Sequence, residues 1–184
     1  MRCSPERVSL CYDDGTAAEV TVPFPPLVAV GGPYSGLLEH VGRNRRLGLL
    51  LVRRGGYGVG VAESGRLVES KVGSRYVQGK TKAGGWSQQR FANRREGQAQ
   101  AAFAAAADVA VRVLLPQKPS LDALVCGGDR RAVDAVLADR RLRALAALPT
   151  GRFLDVPDPR QAVLVRAAER ALAVVLTITD PALT

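Results

Sequence analysis

Two hydrophobic periods run along the chain, and one gives way to the other near residue 87. Before that point the apolar residues come in short runs closed by turn residues. RVSLCY (Arg7–Tyr12) and AEVTVPF (Ala18–Phe24) read as strands, joined by Asp14-Gly15, a good hairpin turn, and ended by FPPL. Leu47–Arg53, Tyr57–Ala62 and Leu67–Tyr76 read as neighbouring antiparallel strands with turns at Gly55-Gly56 and Ser64-Gly65. Gln78–Trp86 follows neither period and reads as a loop. Ser87 suits an N-cap, and from it a helical pattern runs to about Leu115, where Pro116 stops it. The AAFAAAADVAV stretch of that helix lets its backbone lie close to a sheet, while Gly97 inside it costs about 1 kcal/mol relative to Ala. Beyond it the pattern alternates. Leu121–Cys126 is strand-like, Arg130–Leu148 helical with a break near Arg140, and Phe153–Val156 a short strand. Asp158-Pro159 then reads as a cap and first helical residue of a last helix reaching about Val175.

Strands first and alternation afterwards predict an α/β (α+β-like) fold, a mixed β-sheet with packed helices. At 184 residues the chain is long enough to bury a core without staples, and it reads as one domain, 1–184. That domain has a strand-rich part (1–77), a loop (78–89) and an alternating part (90–184). The longest apolar runs, LGLLLV and ALAVVLTI, fall well short of the roughly 20 residues of a membrane helix. MRCSPERV lacks the apolar centre of a signal peptide, so the expected location is the cytoplasm, with no membrane partner. Cys3, Cys11 and Cys126 are odd in number and lack CxxC spacing, which argues against a disulfide framework and a zinc site.

The net charge of +9 is concentrated. Between His40 and Arg95 thirteen Lys/Arg face only Glu63 and Glu69, a local excess of +11, whereas the rest of the chain nets −2. Lys71–Arg95 carries seven basic residues and no acid. A one-sided field of this kind attracts polyanions, nucleic acid above all, or else merely solvates a basic face.

Several chemistries fail on spacing. Gly79-Lys80-Thr81 resembles the end of a phosphate-binding loop, but the partner glycine it needs is Ser74 and no helix follows directly. Gly56, Gly58 and Gly60 share one strand face, which suits close backbone approach better than dinucleotide binding. His40 is the only histidine and reads as a surface or capping residue. The carboxylates are scattered, so two-metal phosphodiester chemistry is not expected; neither is any metal or cofactor.

There remains KTKAGGWSQQRFANRR, Lys80–Arg95. Its glycines let backbone approach a substrate that side chains would block. A glutamine does not act as a general base, but it can orient a water, and N–H groups at a helix start can face a developing oxyanion. The acid-free surround suits a phosphodiester chain. These properties fit water attack on an ester attached to RNA, or, failing catalysis, an ordinary polar first helical turn in an RNA-binding protein.

The stretch GSRYVQGKTKAGGWSQQRFANRREGQA, Gly73–Ala99, resembles the catalytic loop of the Vms-type release-factor-like peptidyl-tRNA hydrolases, particularly their short actinobacterial members. That family is related to the middle domain of eukaryotic and archaeal class-I release factors, whose loop carries Gly-Gly-Gln. The resemblance implies an RNase-H-like mixed sheet and a cofactor-free, codon-independent hydrolase that rescues stalled ribosomes or large subunits as a monomer. Its partners would be the large subunit, tRNA and rRNA. On this resemblance Gly84 and Gly85 match the loop glycines and Ser87-Gln88 the Ser-Gln pair, making Gln88 the catalytic choice and Gln89 the reserve. Arg75 belongs to an Arg-Tyr pair preceding the loop, and Lys80, Lys82, Arg90, Arg94 and Arg95 would face RNA. Trp86 departs from the release-factor pattern by separating Gly-Gly from Ser-Gln. It either stacks on a nucleobase, worth ~1–3 kcal/mol, or anchors the loop on the sheet. The rival is a non-catalytic ribosome- or RNA-binding protein that uses the basic segment 40–95.

Overall fold

The computed structural model describes residues 2–27, 33–74 and 86–180, with the backbone alone for 2, 33–35 and 86–96. The chain divides into two compact units, Arg45–Ala171 and Met1–Asn44 with Leu172–Thr184.

The larger unit is built on a four-stranded mixed sheet. Its strands are β4 (Arg46–Arg53), β5 (Gly56–Glu63), β6 (Arg66–Ser74) and β7 (Ala123–Gly128), in the order β6-β5-β4-β7. The first three form antiparallel neighbours, as their turn residues predict, and β7 joins β4 in parallel. Leu47 and Leu49–Val52 are at most 1% exposed, because β4 lies between two strands and is covered on both faces. Leu50, Val52, Val59 and Val61 share one face with Ala106, Ala110 and Leu114 of α2 (Trp86–Leu114) and with Val133 and Val136 of α3 (Arg130–Leu137). Gly58 and Gly60 lie on the other face, where a Cβ would stand 3.5 and 3.2 Å from the Leu164 methyls. Leu164 belongs to α5 (Gln161–Leu172), so the glycine stripe of β5 accommodates a helix packed directly on the sheet.

The region predicted as one helix over Arg130–Leu148 breaks as expected around Arg140. α3 ends at Leu137, a 3-10 turn covers Arg140–Leu142, and the single-turn α4 covers Arg143–Ala146. Asp129 caps α3 by accepting from the N–H groups of Arg131 (3.0 Å) and Ala132 (3.4 Å). Instead of a strand over Phe153–Val156 there are two isolated parallel bridges to β7, Leu124↔Thr150 and Gly127↔Leu154. Asp158 is not a cap, since α5 begins only at Gln161; its carboxylate stands 3.7 Å from Arg53 Nε instead.

The smaller unit holds a second sheet in the order β1-β2-β3-β8, with strands Arg2–Cys3, Arg7–Cys11, Ala17–Thr21 and Val175–Thr179. The β2–β3 hairpin turns where Asp14-Gly15 predicts: Gly15 has φ 85°, and the Asp14 carboxylate accepts from Thr16 N–H at 2.8 Å. That hydrogen bond also lowers the Asp14 pKa from its ordinary value. Two elements here correct the sequence reading. The last helix ends at Leu172, short of the expected Val175, and Val175–Thr179 forms a strand on β3 that the sequence reading did not expect, since β-branched VLTIT favours pairing over further helical turns. Pro33–Gly42 forms α1, a helix the pattern gave no reason to expect. His40 in its last turn is only 4% exposed and donates from Nε2 to the Pro23 carbonyl at 2.7 Å, so it is a buried structural residue, not a surface one.

Among the described residues no helix is long and apolar enough to cross a membrane.

Candidate functional site

The residues singled out by sequence fall around the passage from β6 to α2. Strand β6 ends at Ser74, and α2 already includes Trp86. Arg75, Lys80, Lys82, Gly84 and Gly85 lie outside the described residues. Trp86, Ser87, Gln88 and Gln89 make up the first turn of α2, and Arg90, Arg94 and Arg95 its next two turns; only their backbone is described. Ser87 therefore sits inside the helix instead of capping it. Its residue type suits either position, and the helix starts two residues earlier than the cap reading requires.

The rest of α2 explains how that turn is held. Its described buried positions begin at Ala99 and continue through Ala102, Ala106, Ala107, Val109, Ala110, Val113 and Leu114. Small side chains bring the helix axis close to β5, β4 and β6, as the alanine-rich pattern predicts. Ala99 lies thirteen residues after Trp86, about 20 Å along the axis. Gly97 does not break the helix: a Cβ there would meet nothing within 4 Å, so the residue costs helix propensity without marking a packing contact. Position 88 precedes Ala106 by eighteen residues, five turns at about 3.6 residues each, which puts the two positions at the same angle round the helix axis. Position 89 is one residue, or about 100°, further round.

The electrostatics of the helix start are one-sided. Its first turn carries no acid. In an α-helix the first four N–H groups lack intrahelical acceptors, and the dipole places partial positive charge there, so this end favours an anion.

At the other side of the passage, Tyr57 is paired across the sheet with Gly73, the residue before the last of β6. The Tyr57 ring lies over Gly73 so closely that a Cβ at residue 73 would overlap it. Tyr57 also packs against the main core. Sequence reasoning placed Gly73 at the start of the motif but missed this contact, which only the β5–β6 register reveals.

The structure divides the basic segment in two. Arg45 is 8% exposed. Arg46 reaches Glu63 at 3.4 Å and Gln117 at 3.1 Å, and Arg53 donates to the Val156 carbonyl at 2.7 Å. Those arginines serve the fold. Arg54, Arg66 and Lys71 are exposed on the same unit. Glu69, one of the two acids of the segment, accepts from Gln117 Nε2 at 3.3 Å.

A clamp on α2 also escaped the sequence reading. Arg141 reaches Asp139 Oδ2 at 2.6 Å and Asp108 Oδ1 at 2.8 Å, tying the helix to the 3-10 turn after α3. The Arg141 hydrogen bonds hold the Asp139 carboxyl down to about 2, below its ordinary 3.8. Among the described residues no group of three or more His, Cys, Asp or Glu could hold a metal ion.

A family model described as the actinobacteria/chloroflexi VLRF1 release factor matches residues 45–177, a stretch that contains the whole larger unit. No curated protein matches the chain. Similar solved structures include an archaeal protein (16% identity, TM-score 0.44) covering 85% of this chain and 48% of its own. Another is the archaeal translation termination factor aRF1 (14% identity, TM-score 0.44), covering 87% of this chain and 51% of its own. The chain thus spans about half the length of either.

Proposed function

Because the chain belongs to the actinobacterial and chloroflexi VLRF1 release-factor family, we propose that it is a peptidyl-tRNA hydrolase that frees nascent chains at the ribosomal peptidyl-transferase centre. The observation that carries the reading is the Ser87-Gln88-Gln89 run in the first turn of a 29-residue helix whose opening holds no acid. Water attacks the ester carbonyl carbon that joins the nascent chain to the terminal ribose of tRNA. The carbonyl π-electrons move to oxygen, then return as the bond to the ribose oxygen breaks. That oxygen takes one proton of the attacking water and the other is lost to solvent, leaving a free peptide carboxylate and a tRNA hydroxyl. Gln88 orients the water through its side-chain amide, and N–H groups of the helix start stabilise the oxyanion. Gly84 and Gly85 admit the acceptor end, while Arg75, Lys80, Lys82, Arg90, Arg94 and Arg95 hold the RNA and Trp86 stacks on a base. A glutamine cannot take the proton itself, so transfer falls to the substrate's ribose hydroxyl and to ribosomal RNA. The action is cytoplasmic, independent of any codon, and carried out by a single domain acting as a monomer.

Ser87-Gln88 matches the Ser-Gln pair of the resemblance, which supports Gln88 over Gln89 as the residue that orients the water. Release of labelled peptide from peptidyl-tRNA on isolated large subunits tests this. Wild type should release peptide, Gln88→Ala should lose about 10²-fold or more, and Gln89→Ala should lose much less. Equal release by wild type and both variants would reject the mechanism. Subunit binding without any release would turn the reading into that of a non-catalytic RNA-binding protein.

A further inference from the structure

Between α3 and residues 150–153 the larger unit contains a cavity of about 260 Å³. Leu124, Val133 and Leu137 give it an apolar floor, and Cys126 adds a thiol. Burial, and after it the Asp134 charge, push the Cys126 pKa up to about 12, so that thiol is a protonated, inert wall at neutral pH. Arg130 acts on the same thiol in the opposite sense. The fields of both side chains reach the cavity floor.

Arg130 and Asp134 are four residues apart on α3, neighbours on one helix face, and both line the cavity. They do not neutralise each other: among the described residues neither has an ion-pair partner. Arg130 is instead held with its guanidinium carbon 4.2 Å from the centroid of the Phe153 ring. Stacking uses the face of the guanidinium and leaves its in-plane N–H donors free for a carboxylate. The cavity therefore offers a pre-oriented cation, a free anion one helical turn away, and an apolar floor beneath. Its volume lies just under the roughly 300–1,000 Å³ of common ligand pockets, too small for a nucleotide.

From the Arg130–Phe153 stack, the unpaired Asp134 and the apolar floor, we infer a binding site for a small zwitterion with a short apolar tail, such as an aliphatic α-amino acid. The carboxylate sits on Arg130, the ammonium on Asp134, and the tail on Leu124, Val133 and Leu137.

The test is titration of the full chain with L-leucine, followed by amide chemical shifts, a readout independent of peptide release. We expect saturable shifts confined to α3, β7 and residues 150–153, with a dissociation constant on the order of 1 mM. Removing either charge from the ligand, as in 4-methylpentanoate or isopentylamine, should weaken binding about tenfold or more. Arg130→Met and Asp134→Asn, both at exposed positions, should weaken leucine binding to a similar degree without changing the melting temperature. No saturation up to tens of millimolar overturns the inference. So does equal binding of the singly charged analogues to wild type, which keeps the test decisive even if a variant misfolds.

Discussion

The two ends of α2 solve opposite problems. From Ala99 onward the helix is an anchor: Ala106, Ala110 and Leu114 are fully buried, and the alanines let its backbone lie low on β4 and β5. Its first turn has the opposite composition, with Trp86, Ser87, Gln88 and Gln89 and no acid. Folding free energy is concentrated where small side chains pack. Trp86, proposed to meet RNA, lies about 20 Å before Ala99 along the same helix. A long helix held at one end can carry polar, strained or glycine-flanked chemistry at the other without a large loss of stability.

Substitutions at the two ends should therefore separate activity from stability. The largest expected effect is at the first turn, where Gln88→Ala lowers peptide release by about 10²-fold with an unchanged melting temperature. At the anchored end, Ala106→Leu should overpack the sheet and cost about 1–3 kcal/mol in urea titrations, while release per folded molecule stays near wild type. A substitution at Ala106 that abolished release in a fully folded protein would dissolve the distinction.

The strand side of the passage gives a smaller effect. Gly73→Ala must displace the Tyr57 ring, at about 1 kcal/mol, and this penalty should largely vanish in a Tyr57→Ala background. A double-mutant cycle with no coupling would show that the ring moves without cost. Smallest of all is the clamp at Arg141. Arg141→Met should lower the melting temperature slightly at low salt and not at all at high salt, since both carboxylate partners are surface groups. Asp139 has a folded pKa of about 2 against an ordinary 3.8, so its contribution is present above about pH 4 and fades as pH falls toward 2. Acid melts of wild type and Asp139→Asn should converge at the lower end of that range.

How much of this could be read from sequence depended on whether the cause was local. LGLLLV announced β4 because a strand covered on both faces shows no alternation, and Asp14-Gly15 announced its hairpin through a conformation that neighbours alone decide. The alanine run announced a helix that packs closely. By contrast, ALAVVLTI is apolar almost throughout, so its hydrophobic pattern does not show where α5 gives way to β8 and only the shift to β-branched residues hints at it; the pairing partner, β3, lies more than 150 residues earlier. α1 escaped because PYSGLLEHVG mixes helix formers with two glycines. At the candidate site, the motif and its charge were legible but not the division of labour. That Arg46 and Arg53 serve the fold follows from contacts with Gln117 and Val156, which no local pattern encodes. The Tyr57–Gly73 contact likewise depends on strand register.

The parallel pairing of β4 with β7 also bears on how the protein folds. β4, β5 and β6 meet through tight turns, whereas β7 arrives only after α2. Its entry is pinned where Arg46 and Asp122, 76 residues apart, exchange hydrogen bonds at 2.7 and 2.8 Å. Closing that loop costs roughly 3 kcal/mol more entropy than closing a hairpin. The meander can therefore form early, and docking of β7 is the slow, non-local event that completes the sheet. Leu124→Ala would slow refolding if that docking occurs in the transition state, and would only hasten unfolding if it comes later.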